Sequence, residues 1–300
     1  MGLDNDIHVC DLVDMNDPFC VMAEVRGIIA RMFPDFDCET LDKVFDDILR
    51  LFAGQYPGYL KCNTHYHNLR HTTDAFMAMI RLIHGAILGG WHINQKNVML
   101  AMVTTLMHDT GYIQKTTESS GTGGQYTLVH IERSILFLQS YFLKNRLFVS
   151  SIKDCSDILR CTGFDTSVDK IRFKTPQIEL MGRLLGTADL IGQIGDITYI
   201  KKLPHLYQEF IEANIEGYET EMDIFDKTFA FYQITRKRID NDLGNMPRFL
   251  PNHFKSRFRI DQDLYYLAME KNISQLNHML ENGHESFKKA YKTRYGRTIH

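Results

Sequence analysis

The residues of this chain that could do chemistry lie in a short run, Tyr66-His67-Asn68-Leu69-Arg70-His71-Thr72-Thr73-Asp74, and in an adjacent pair, His108-Asp109. Two histidines four residues apart share one face of a helix. Imidazole and carboxylate groups together suit Zn, Mn and Fe, and the carboxylate end also suits Mg. One more residue is needed to close such a site, and Asp189 in Gly186-Thr187-Ala188-Asp189 is the best candidate. If these residues converge, the chain is a metal-dependent phosphohydrolase. A phosphodiester is anionic and resists attack by water. Cations beside it neutralise the phosphoryl oxygens and lower the pKa of a bound water. The alkoxide still leaves poorly unless a positioned acid gives it a proton, a step worth ~10²–10⁴-fold. Isolated histidines on helices are ordinarily surface or core residues, and His65, His84, His92, His205, His253, His278, His284 and His300 are read that way.

The elements that must position these residues are helices. Val21, Val25, Ile28, Ile29 and Met32 form one apolar stripe, opened by Asp17-Pro18 and closed by Pro34. Leu41, Val44, Phe45, Ile48 and Leu51 form a second, and Phe76, Met79, Ile80 and Ile83 continue the segment of the two histidines. Ile131, Ile135, Leu138 and Phe142 mark a helix after a loop at 115–126. Ile178, Met181, Leu184, Leu185 and Ile191 mark the helix that carries Asp189. Phe225, Phe229, Tyr232 and Ile239 follow on a later helix, and Leu264, Leu267, Ile273 and Leu276 on the last. No proline falls between 58 and 175, so nothing there forces a helix to break. Alternating strand patterns are scarce. The expected fold is all-α: one compact multi-helix domain over 1–300, with the motifs in a core of about 60–245 and 250–300 added as a C-terminal helical layer.

Tyr-His-Asn-x-x-His-x-x-Asp at 66–74 resembles the first metal-binding signature of the class I cyclic nucleotide phosphodiesterases, which belong to the HD superfamily of α-helical metal-dependent phosphohydrolases. Leu100 to Asp109, an apolar helix ending in His-Asp, is similar to the second signature, and Ala188-Asp189 resembles the third. The resemblance implies that His71, His108, Asp109 and Asp189 bind a first divalent ion, Zn, Mn or Fe. It also implies that Asp109 bridges to a second, Mg or Mn, whose shell is largely water. His67 then is no ligand: it matches the histidine that protonates the leaving oxygen after a metal-activated hydroxide attacks phosphorus. The implied activity is hydrolysis of a small-molecule phosphoester, first of all a nucleotide phosphodiester. A nucleotide phosphomonoesterase and a catalytically weak metal- or nucleotide-binding regulator stay open as alternatives. Asp74, one turn beyond His71, is a candidate acceptor for that imidazole's other N–H, or else an exposed helix acid.

Other positions depart from the family pattern. After His108-Asp109 the chain reads Thr110-Gly111-Tyr112-Ile113-Gln114, where the phosphodiesterases typically carry Asp-His-Pro-Gly. Here the likeness is closer to bacterial HD hydrolases, in which a later histidine serves the second ion. His130 is the candidate, with Glu132 behind it. The glutamine that reads purines in the family has Gln233 as its nearest counterpart, in a shifted register that could put Lys227 there instead. Tyr232 and Phe229 could stack on a base or fill the core. Gly121-Thr122-Gly123-Gly124-Gln125 could be a flexible connection, a lid, or a loop whose amides approach a phosphate.

Bulk composition narrows the partners. Hydrophobic residues make up 44% and charged residues 24% of 300, ordinary for a globular protein. With a formal charge of −3, no sequence-wide basic excess argues for nucleic acid or anionic membrane as a partner. Six cysteines without CxxC spacing read as reduced thiols. The acidic start, Met1 to Asp6, has no signal core, and no apolar run approaches the ~20 residues that span a bilayer. The expected location is the cytoplasm.

Overall fold

The computed structural model describes residues 7–118 and 120–299; the acidic start and His300 lie outside that range. Helix α1 (Pro18–Met32) begins where the sequence places it. Asp17 accepts the Phe19 N–H at 2.8 Å and Pro18 takes the first helical position. It is followed by α2 (Cys38–Phe52), α3 (Leu69–Leu88) and α4 (Gln95–Met107). Next come α5 (His130–Asn145), α6 (Ile152–Arg160) and α7 (Pro176–Ile194). The chain continues through α8 (Tyr199–Glu212), α9 (Glu221–Lys237), α10 (Leu250–Phe258), α11 (Leu264–Leu280) and α12 (His284–Tyr295). The fold is all-α. Among the described residues the only β pairing is an isolated bridge, Tyr59 to Lys115.

Three helices make the centre. Residues 71–86 of α3 and 97–107 of α4 are buried without interruption, and α7 is buried over most of its length. A helix that is apolar all round must be enclosed by others, and α3 is enclosed by α1, α4, α7 and α10. The surrounding helices are two-faced: α2 buries Leu41, Val44, Phe45, Ile48 and Leu51 and turns its acids outward. A hydrophobic cluster runs from Val9 to Ile299, so both ends of the described chain share it.

The C-terminal helices are bound closely to this centre. At Gly85 on α3 a Cβ would lie 2.0 Å from the Phe249 carbonyl, so only glycine lets the segment before α10 approach. On α11, the Asn272 amide donates to the carbonyls of Ile194 and Asp196 at 2.7 and 2.8 Å, satisfying groups that the end of α7 leaves open. On α12, Phe287 and Tyr291 are fully buried.

Some expectations are corrected. Helix α8 carries Pro204 in its interior and has no clean stripe to announce it. Helix α12 follows the helix that the periodicity marks as the last. Phe229 is not core: it is 45% exposed, because its place on α9 faces solvent while Phe225 and Tyr232 face inward. Among the described residues no helix is long and apolar enough to cross a membrane.

Candidate metal centre

His71 and the His108-Asp109 pair come together at the meeting point of two helix ends. Asn68 caps α3 and accepts the His71 N–H at 3.2 Å, which fixes the first turn of that helix. Helix α4 stops at Met107, so His108 and Asp109 sit on the turn that leaves it. That turn is clamped from α5: the Ser134 hydroxyl donates to the His108 carbonyl at 2.6 Å and accepts the Gly111 N–H at 2.8 Å. Gly111 allows the clamp, since a Cβ there would fall 1.9 Å from the His130 carbonyl. Asp189 reaches the same point from the middle of α7.

The donor atoms converge. Nε2 of His71 and Nε2 of His108 are 3.1 Å apart. Asp109 Oδ2 lies 3.0 Å from the first and 3.2 Å from the second. Asp189 Oδ1 lies 3.1 and 3.7 Å from the same two nitrogens. The ligand atoms of His71, His108 and Asp109 all lie within 4.8 Å of one another, and all three residues are buried. Ligands held at ~2.0–2.2 Å from one ion stand about 3–3.5 Å from each other, which is this spacing.

The hydrogen bonds agree with that use. His108 Nδ1 donates to the Thr105 carbonyl at 2.7 Å, so in the neutral ring Nε2 turns a lone pair into the site. Asp109 Oδ2 is buried and has no hydrogen-bond partner. Two imidazole nitrogens and an orphaned carboxylate oxygen, crowded together and buried, form a donor set that a divalent cation fits. The protein's own charges already feel one another there. Burial alone would raise Asp109, but the adjacent His108 and His71 outweigh it and hold the carboxyl well below the usual range. Asp189 is lowered against burial by His71 and His108. Burial disfavours a charged His71, yet the carboxylates of Asp109 and Asp189 close beside it carry it up to about 10.

His67 stands beside this group but not on the helix. It precedes the Asn68 cap, so helical spacing is not what brings it near; its ring meets that of His71 edge-on, 5.6 Å between centroids. It is held by a residue that the sequence does not single out. Glu209 on α8 is 3% exposed and accepts His67 Nδ1–H at 2.6 Å. Its other oxygen accepts the backbone N–H groups of Tyr66 and His67 at 2.9 and 3.3 Å. A carboxylate accepting from Nδ1 fixes the orientation of the imidazole and turns Nε2 away from Glu209. A groove of about 330 Å³ adjoins Glu209, lined in part by Thr64, His65, His205, Gln208 and Glu212.

His130 lies at the edge of the cluster. Its Nε2 is 3.9 Å from the second oxygen of Asp109, while its Nδ1 donates to the Thr127 carbonyl at 2.6 Å. Tyr112 packs its ring against both His67 and His130, at 4.4 and 4.6 Å.

Other candidates lie elsewhere. Asp74 is buried, but both of its oxygens face Arg70 Nε at 2.8 and 3.0 Å, so it serves that guanidinium and not the His71 imidazole. The cause is a buried charge cluster in which Arg70 also approaches Asp196. Gln233 is exposed on α9, and Tyr232 turns its hydroxyl to Glu270 on α11, so neither lines the site. Lys227 is bonded to the Gly217 carbonyl and Glu132 to Arg160. In the glycine-rich loop three of the amides are already used within the protein. The N–H of Thr122 goes to Glu212, that of Gly123 to Asn63 and that of Gly124 to Thr122 Oγ1.

A family model described as Npun_R2479-like matches residues 115–246, a stretch that includes His130, Asp189 and Glu209 but not His71, His108 or Asp109. No curated protein and no solved structure matches the chain.

Proposed function

We propose that this chain is a metal-dependent phosphoester hydrolase of the HD type, acting on a phosphodiester of a small nucleotide. The observation that carries the reading is the convergence of His71, His108, Asp109 and Asp189 around one point, with a carboxylate-held His67 beside them. Zn, Mn or Fe suits the two imidazoles and two carboxylates, and a second ion, Mg or Mn, would draw on Asp109 Oδ1 and His130. A divalent ion in such a site supplies a Lewis acid for the phosphoryl oxygens and a water of lowered pKa.

The protein's own groups do the rest. His67 is placed to give a proton to the leaving oxygen, and Glu209 holds its Nδ1 and aims the ring. The enclosed walls, with Tyr112 packed over His67 and His130, keep bulk water from screening those charges. No lysine or arginine is among the described residues that line the groove beside Glu209, so it suits the uncharged part of an ester better than its phosphate.

Metal analysis of the purified protein, paired with a phosphoester panel, tests the reading. Bound transition metal and turnover of cyclic mononucleotides or bis(p-nitrophenyl) phosphate are expected. Hydrolysis of nucleoside monophosphates alone would shift the assignment to a nucleotidase. Bound metal without turnover of any ester under Zn, Mn, Mg, Fe, Co or Ni would shift it to a regulator.

A further inference from the structure

One turn beyond Asp189 on α7 stands Gln193, whose amide lies in a fully determined hydrogen-bond chain. Its Nε2 is 2.7 Å from Asp189 Oδ1, the oxygen that faces both imidazoles. Its Oε1 is 3.3 Å from the Tyr66 hydroxyl. The direction of each bond follows from chemistry. An ionised Asp189 can only accept, so the amide must present N–H to it. That leaves the amide oxygen for Tyr66, which must donate. Burial pushes the Tyr66 hydroxyl well above its ordinary pKa, so it keeps the proton that this role needs. Without the Tyr66 O–H the amide could turn over and set its oxygen against the carboxylate.

The same tyrosine is fixed at its backbone by Glu209, the residue that also holds the acid, His67. Residues 66 and 67 are therefore tied to α8 through Glu209 and to the carboxylate on α7 through Gln193. We infer that Gln193 is a positioning residue that orients Asp189 as a ligand, and that Tyr66 acts through it by fixing the sense of the amide. The inference rests on the metal reading but not on any activity.

Titration of chelator-stripped protein with Zn or Mn, followed by calorimetry or a competing chelator dye, tests it. Gln193→Met keeps the length of the side chain and removes both bonds. Loss of such an outer support costs ~10–100-fold in metal affinity, and that loss is expected here. Tyr66→Phe removes one neutral hydrogen bond and should weaken binding by roughly 3–10-fold. In the Gln193→Met background, Tyr66→Phe should cost nothing further, because its only route to Asp189 is gone. Two independent packing effects would instead multiply. Circular dichroism and thermal melting check that each variant is folded, and should Gln193→Met unfold, Tyr66→Phe alone must still show its loss. Wild-type affinity in Gln193→Met, or multiplying losses in the double variant, overturns the inference and leaves the metal site standing. A wild-type chain that takes up no divalent ion overturns both.

Discussion

Replacing Glu209 by glutamine tests how the site would use His67. Both backbone N–H groups of Tyr66 and His67 point at Glu209 Oε1, at 2.9 and 3.3 Å. A glutamine must therefore put its carbonyl oxygen there to avoid setting N–H against N–H. Its amide nitrogen then occupies the place of Oε2, 2.6 Å from His67 Nδ1. An amide N–H at that point requires a bare Nδ1, so it favours the neutral ring and opposes the protonated one. What is lost is a charge-assisted hydrogen bond, worth about 1.5–3 kcal/mol. At ~1.4 kcal/mol per decade, that is about 10–100-fold in rate where His67 must deliver a proton. His67→Ala sets the ceiling at ~10²–10⁴-fold. The assay is kcat for an alkyl nucleotide ester against a p-nitrophenyl ester, with metal content measured on the same sample. p-Nitrophenolate leaves with little need of a proton, so its rate should fall much less in both variants. Equal losses on the two esters would refute the acid role. Loss of metal in His67→Ala as severe as in His71→Ala would make His67 a ligand instead.

Further outcomes follow from the same geometry. His108→Ala and Asp109→Ala should each lose tightly bound metal by elemental analysis; native occupancy in both would remove the assignment. Gln208→Trp, which fills the groove beside Glu209, should raise KM for nucleotide esters and spare bis(p-nitrophenyl) phosphate; equal effects on both would place the leaving group elsewhere. The buried pair His84 and His253, Nδ1 to Nδ1 at 3.0 Å, makes the fold sensitive to acid. Burial and the nearby Arg257 and Arg31 lower His84 to about 4, and burial, Arg81, His84 and Arg257 lower His253 to about 2. Below the unfolded value of about 6.5 the unfolded chain takes up protons that the folded chain refuses. Stability therefore falls with pH from about 6.5 downward, by up to about 1.4 kcal/mol per pH unit for each histidine, and is unaffected by the pair above that range. The slope of Tm against pH between 4 and 6.5 should be shallower in His253→Phe than in wild type, and an unchanged slope would mean that the pair already titrates normally in the folded chain.

The helices that the sequence reveals most clearly are those with one wet face. Helix α1 lies between its Asp17-Pro18 and Pro34 signals and α2 carries the stripe that marks it, since a two-sided environment writes a stripe. Helix α8 is illegible for a physical reason. It carries Pro204 inside, and its buried positions include an acid. Periodicity treats Glu209 as solvent-facing, whereas its charge is satisfied by His67 Nδ1 and two backbone amides that only tertiary structure brings together. Phe229 fails in the opposite sense: an aromatic residue at helical spacing reads as core, and here it faces solvent.

The site divides along the same line. Residue type and order pick out His71, His108, Asp109 and Asp189, because a donor set demands particular atoms whatever the fold. The residues that aim those atoms are chosen by reach, and many side chains could serve. Asp74 shows the hazard: it stands one turn from His71, as a carboxylate supporting that imidazole should, yet Arg70 claims it. Gln193 also stands about one turn from Asp189, four residues on, and does bond to it. Both intervals are about one helical turn, three residues in the first case and four in the second; the difference is the competing partner. Arg70 needs a counter-charge wherever it is buried, and Asp74 supplies it. Gln193 is uncharged, so no buried ion competes for it, and its amide is free to bridge Tyr66 and Asp189. The positions around this centre that matter for orientation are therefore best sought among neutral hydrogen-bonding side chains one turn from each ligand, where burial costs least and no salt bridge diverts them.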